Sequence, residues 1–578
     1  MRRFLLTFLL VLAPTLGGMT PAEVEDTSLV KAMTEELNRS LNELSLKDFS
    51  KPYYVAYSVF EVDRVMCAAR DGGIVQASRD EGRDVRIDLR VGDWSFDSGN
   101  TAFGVSGHRL MSLPTEDDYH AVRRQLWLDS DRAYKSAVQA LEKKRAVINR
   151  LTESDEADIP NFTKVDPVRV AIPKDPQPLD EIDCKELARK VSAVFGDDPD
   201  IESGRVVVSA RNVERFFVDT EGSLVYEPDT AAFVDVVGWG RAEDGMTVKD
   251  FFSHVAHDYE SLPTAEALVK EARESVETLE KLQSSPKVDY YTGPVLFEPE
   301  AAAQLIWRLI ARDLSGTPSP VSNAEGQSSD RNPLAARLGR QILPKEFDVV
   351  DDPTIEEFEG QPLLGSYAVD HEGVRAQKVQ LVEDGMFESM LMSRTPRDEI
   401  RESNGHGRTV GGRVTGSVGN LVFKAEGGLS HEGLRDRLIE EAKKEGLDHA
   451  YVVRLFDNAA MTFDPFNPGS GWGGLNGKMT PLAIIRVNED GSEEFVRGLS
   501  LKKPLIRDLE RILAWGEEYD TTNYLVGNYT RVFYGQKTSP MPPVPHSITI
   551  PALLFEELDM PGGQSRFPKP PFLPAPTD

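Results

Sequence analysis

Apolar and polar positions along the chain alternate between two regimes, one of helical spacing and one of period two. From residue 20 to about 50, Val30, Met33, Leu37, Leu41 and Leu44 recur at roughly helical intervals, which predicts a helix. Residues 51–96 switch to strands, with alternation through VRIDLRVGDWSF that suits a sheet with one buried face. Asp71-Gly72-Gly73 supplies a turn between two of them. Over 116–148 the helical spacing returns through Val122, Leu126, Tyr134, Val138 and Leu141. No strict heptad is kept, so a long helix, broken at most once, is predicted rather than a coiled coil. Residues 153–182 are rich in Pro and Asp and read as a linker or surface loop. A helix near 183–194 precedes strands over 205–211, 214–219, 224–226 and 231–239, the first two separated by a polar break. An amphipathic helix over 263–283 follows, completing an α+β pattern of antiparallel sheet and helices.

The second half is richer in strands. A short apolar run over 294–297 leads into Glu298-Pro299-Glu300, which opens a helix. Proline is tolerated at the first helical position, and a glutamate suits the positive end of the helix dipole. Ala301, Ala302, Ala303, Leu305, Ile306, Leu309 and Ile310 make this helix mostly apolar, while Glu300, Gln304, Arg308 and Arg312 share one polar stripe. Such a helix is either the wall of a site or a core helix whose stripe meets solvent. Residues 315–333 are polar and rich in Gly, Pro and Ser, a candidate lid or a surface insertion. Strands are then predicted over 365–369, 375–382 and 386–392, with turns at Asp370-His371-Glu372-Gly373 and Glu383-Asp384-Gly385. His371, in a turn, is expected to be solvated. Further on come a Gly-rich run over 411–420, a strand over 421–424 and a helix over 430–445 capped by Ser430. A buried strand over 451–456, a Gly-rich loop over 464–477, a hairpin over 481–498 and a closing strand over 547–558 complete it.

Composition narrows the function classes. A chain of 578 residues, 40% hydrophobic, has room for two or more cores. A net charge of -29 argues against nucleic acid and against anionic membrane surfaces, both of which call for basic patches. Arg2 and Arg3 followed by the short apolar run over 4–13 read as a secretory signal, with cleavage near Gly17-Gly18; an uncleaved anchor is the alternative. The expected location is secreted or periplasmic. Cys67 and Cys184 form either one disulfide or two lone thiols. The predicted organisation is a signal peptide over 1–18, an α+β domain over 19–284, a β-rich domain over 285–560 and a Pro-rich tail over 561–578.

The residues Pro299-Glu300-Ala301-Ala302-Ala303-Gln304, the Asp-x-Glu-Gly hairpin at 370–385 and the closing SITIPALLFEEL carry a family resemblance. The chain resembles the TldD/PmbA group, the modulator-of-gyrase or U62 peptidase family, over roughly 200–560. In its TldD-type members this helix reads His-Glu-x-x-x-His, and both histidines help bind zinc. Here the glutamate remains and both histidines are gone. Proline cannot ligate zinc, and an amide is a poor ligand beside imidazole or thiolate. TldD-type chains add a cysteine before a glycine near the C-terminus, where the nearest match is Tyr534-Gly535. The resemblance therefore implies a PmbA-like chain with no metal or cofactor of its own. The zinc is expected in a TldD-type partner, with a self-dimer as the other assembly and unfolded peptide as substrate.

On this reading Glu300 is the candidate catalytic group, a base of small effect without metal-activated water. Gln304, Arg308 and His371 are the candidate binding-cleft residues. Other chemistry fits worse. His254-x-x-His257 has metal spacing only if helical and lacks a third ligand, and His406 and His431 are expected to be exposed. The motifs around Ser106 and Ser417 each lack one glycine of a nucleophile elbow. Two other functions remain open: a non-catalytic peptide-binding or scaffold protein on the same fold, and an autonomous hydrolase rebuilt around Glu300, Arg308 and His371.

Overall fold

The structure is a computed structural model that describes residues 19–150, 159–311, 313–322, 332–410, 413–456, 479–502, 504–526 and 542–563. The leader at 1–18, the Gly-rich loop at 464–477, Tyr534-Gly535 and most of the tail lie outside the described residues, as does part of the candidate lid.

Long paired strands organise the first half. After α1 (Pro21–Glu25) and α2 (Ser28–Glu43) come β1 (Pro52–Arg70) and β2 (Gly73–Val91), joined at Asp71-Gly72. Then follow β3 (His108–Ser112), α3 (Tyr119–Ile148), β4 (Arg169–Ala171), α4 (Glu181–Gly196), β5 (Ile201–Asp219), β6 (Leu224–Arg241), β7 (Thr247–Ala256) and α5 (Ala265–Ser284). The sheet order is β3-β2-β1-β5-β6-β4, with β7 also on β6. The polar breaks seen in the sequence at 212–213 and 227–230 do not end strands. Val213 stays paired with both Val62 and Asp229, so β5 and β6 each run unbroken.

One sheet face carries the helices. Val55, Tyr57, Val59, Val65, Cys67 and Ala69, all on one side of β1, bury against α2 and α3 near one end and α4 and α5 near the other. Cys67 and Cys184 are buried free thiols in the same cluster, which joins β1 to α4. Phe195 of α4 lies over Gly204, where an added Cβ would stand 2.0 Å from the ring. Gly204→Ala is expected to cost about 1–3 kcal/mol by overpacking; equal urea midpoints for variant and parent would refute this.

The opposite face presents Arg64, Arg86, Arg205, Arg211 and Arg215, all buried. It is covered by the second half of the chain. Arg215 donates to the carbonyls of Val369 and Asp370, 2.7 Å each, and Leu525 packs on Met66 and Val207.

That second half begins with β8 (Tyr290–Phe297) and α6 (Pro299–Ile306). It continues through β9 (Phe347–Asp351), the minimal hairpin β10 (Glu357–Phe358) and β11 (Gln361–Pro362), β12 (Val379–Glu383), β13 (Met386–Phe387), β14 (Gly407–Val410) and β15 (Arg413–Gly416). It closes with β16 (Asn420–Ala425), α7 (His431–Lys444), β17 (His449–Phe456), β18 (Pro481–Asn488), β19 (Glu493–Val496), β20 (Ile512–Val526) and β21 (Val544–Pro561). The large sheet runs β13-β12-β9-β16-β21-β8-β17-β18-β19, with β20 on β21. The chain is thus α+β, as the sequence predicts. Two differences stand out. Residues 365–369 are not a strand and hold a single bridge, Val369 to Arg375, because Ala368 and Val369 bond instead to Glu227 and Arg215. The closing strand reaches Pro561, where the tail was expected to begin.

Candidate functional site

Strand β8 lies at the centre of the large sheet, antiparallel to β21 and parallel to β17. It delivers the chain to Glu298, whose carboxylate meets Arg435 at 3.1 Å and Arg454 at 3.3 Å rather than capping the helix. Pro299 then starts α6. The helix keeps α geometry only to Ile306 and widens into a π turn over Trp307–Ala311. A π turn shifts every later residue around the axis, so the four-residue stripe read from the sequence does not continue. Arg308 is exposed on that turn, and Arg312 lies outside the described residues.

Glu300 sits in the first turn, where the two halves meet. Its carboxyl is pushed up to about 8, first by burial, then by the negative charges of Asp520, Asp250 and Glu271, against the pull of Arg454. That shift favours the protonated carboxyl at neutral pH. Gln304 is also not free to line a cleft. It is buried, and its side-chain oxygen accepts the Phe456 amide at 2.7 Å.

His371 is buried, not solvated, which corrects the turn reading. The second half of the chain folds its turn against the arginine face of the first sheet. Its Nδ1 accepts the Thr409 amide at 2.8 Å, and its ring stands edge-on to Phe60. Burial and the charges of Arg408, Arg215 and Arg86 hold it well below the usual imidazole range, so it is neutral. His371 and Glu300 belong to different parts of the interface. Between them lie Trp307, Tyr524 and His546: the indole is 5.9 Å from the tyrosine ring and 5.3 Å from the imidazole. Tyr524 feels the charge of Glu300, and His546 that of Arg408. These residues were not singled out in the sequence. The only signal was alternation in the closing strand, which marks a face but not what the face meets.

Other histidines depart from expectation too. His406 is buried with Nε2 3.1 Å from Asp351. His254 lies on β7, not on a helix, and pairs with Glu271 at 2.7 Å, so the His254/His257 spacing brings no metal pair together. His431 is exposed, as expected. A groove of about 820 Å³ lined by Asp180, Glu186, His257 and Tyr259 lies in the first half, away from α6.

With this geometry in hand, residues 291–562 match the family described as PmbA/TldA metallopeptidase C-terminal domain. The second half of the chain thus carries a C-terminal domain of the PmbA/TldA type. A metalloprotease of Archaeoglobus fulgidus is 24% identical over 366 residues, covering 63% of this chain and 79% of that protein. A metalloprotease of Methanothermobacter thermautotrophicus is 36% identical over 112 residues, spanning 19% of this chain and 22% of the relative. TldE from Thermococcus kodakarensis shares the fold with a TM-score of 0.59 at 16% identity, covering 92% of this chain and all (100%) of that one. A putative modulator of DNA gyrase from Thermotoga maritima superposes with a TM-score of 0.56 at 16% identity, over 88% and 96%.

The residues of α6 do not fit zinc. Pro299 offers no donor, and the Gln304 oxygen that would face a metal is engaged by the Phe456 amide. No step through a metal follows from these side chains.

Proposed function

We propose that this chain is the zinc-free subunit of an exported two-chain peptidase that acts on unfolded peptides. The observation that carries the reading is Gln304, in the position of a zinc ligand, locked by the backbone of β17. The metalloprotease names of the sequence relatives and the TldE-like fold support it. Its role is to complete the cleft and hold substrate while a TldD-type chain supplies zinc. Sheet edges suit this, because an extended peptide can add to one as a further strand. Nucleic acid is not a partner on this reading.

Mixing the mature chain with a zinc-bearing TldD-type chain is expected to yield a hetero-oligomer on sizing and to raise hydrolysis of an unstructured fluorogenic peptide. A self-only oligomer with no rise in rate refutes the reading and favours a scaffold. Export is checked by mass: cleavage near Gly17-Gly18 gives a chain beginning at Met19, and an intact leader on the exported protein counts against it.

A further inference from the structure

Arg408 is a buried guanidinium with no acid paired to it among the described residues. On β14 it is 6% exposed, and Nε and Nη1 have no hydrogen-bond partner. No carboxylate among the described residues pairs with it. Its neighbour is the Tyr367 ring, 3.9 Å from the guanidinium carbon. A cation over an aromatic face gains too little to offset burial of a charge.

Two more buried groups close by lack partners. Tyr524 and His546 stand opposite each other on β20 and β21, and the tyrosine hydroxyl and both imidazole nitrogens are unbonded. His546 is 1% exposed. Burial and the Arg408 charge hold its imidazole down to about 3, so it is neutral, with one donor and one acceptor nitrogen. Trp307 of the π turn lies beside both rings, 5.9 Å from Tyr524 and 5.3 Å from His546. Arg86 and Arg215, from the facing sheet, add positive charge around His371. The missing element is therefore an anion with an amide beside it. A guanidinium fork matches a carboxylate bidentately, and an imidazole acceptor nitrogen suits an amide N–H, which inorganic phosphate lacks.

We propose that Arg408 anchors the C-terminal carboxylate of a bound peptide, with His546 and Tyr524 meeting the peptide's last amide. The inference rests on the peptide-handling reading above and names which end of the peptide is held.

The probe is Ala-Ala-Ala as free acid and as C-terminal amide, titrated calorimetrically into the full chain without any partner. The free acid is expected to bind at least about tenfold tighter than the amide. Arg408→Gln is expected to abolish that preference. His546→Gln, which leaves the guanidinium in place, weakens both ligands and keeps the preference; it also serves if Arg408→Gln does not fold. Equal binding of acid and amide to the parent chain overturns the carboxylate site while leaving the subunit role standing. So does an acid preference that survives Arg408→Gln, or the absence of any tripeptide binding. Competition by inorganic phosphate as strong as by the free acid overturns the peptide assignment.

Discussion

Replacing Glu300 by Gln will flatten the pH dependence of stability above neutrality. In the folded chain the carboxyl is held up to about 8, against an ordinary value of 4.5, by burial and by Asp520, Asp250 and Glu271. A raised acid binds its proton more tightly folded than unfolded. The stability tied to that proton is complete below about pH 4.5 and is lost as pH rises through 8. Each unit of difference is worth about 1.4 kcal/mol, so the whole interval is on the order of 5 kcal/mol. Asp250 and Asp370 are raised to about 6 and act with the same sign, but below that pH and equally in both proteins. The clean window is therefore pH 6 to 9, where the variant should gain about 3 kcal/mol relative to the parent. Urea midpoints at pH 6, 7, 8 and 9 measure it. Parallel curves for the two proteins would mean that Glu300 ionises normally, and the account of it as a protonated acid would fall.

Arg394→Met is expected to destabilise the chain by about 3–5 kcal/mol, the range for breaking one side of a buried pair. Arg394 is fully buried. It donates to the Thr163 carbonyl at 2.9 and 2.6 Å and to the Glu221 carboxylate at 2.5 Å. Its backbone N–H donates to Glu372 at 2.6 Å, and its guanidinium lies 4.1 Å from the centre of the Phe162 ring. One side chain thus ties the 160s segment and the first sheet to the His371 turn. Removing it leaves the Glu221 carboxylate and a backbone carbonyl without their donor. The double variant Arg394→Met/Glu221→Gln should recover part of the loss, because the stranded charge goes with it. A loss below about 1 kcal/mol in the single variant would show the contact to be a surface-like pair. Full additivity in the double variant would show that the two groups do not communicate.

Both positions lie where the halves of the chain meet, and the site is organised there too. Beyond burial and Asp520, Glu300 is perturbed by Asp250 and Glu271 of the first half. Beyond burial and Arg408, His371 is perturbed by Arg215 and Arg86. A substitution on either side of the interface is thus expected to reach the other through charge rather than through a hinge.

Much of the fold was legible locally. Ser430 caps α7, where its hydroxyl accepts the Gly433 amide, and Leu434, Leu438 and Ala442 bury as their spacing predicts. The hairpin of β18 and β19 and the turn at Asp71-Gly72 follow from alternation and turn residues. These signals are short in range. A cap, a turn or one face of a helix is decided by residues a few positions apart, and the chain carries them wherever it folds.

What the sequence by itself determined was the order of elements, the absence of histidine at the head of α6 and the kind of domain the second half builds. What only the tertiary structure decided was the environment of each polar side chain. A turn histidine became a buried neutral imidazole, a cleft glutamine became a backbone acceptor, a retained glutamate became a protonated acid, and Arg408 has no counter-charge among the described residues. Charge state and burial depend on groups tens to hundreds of residues away, brought close by packing, and no local pattern encodes that distance.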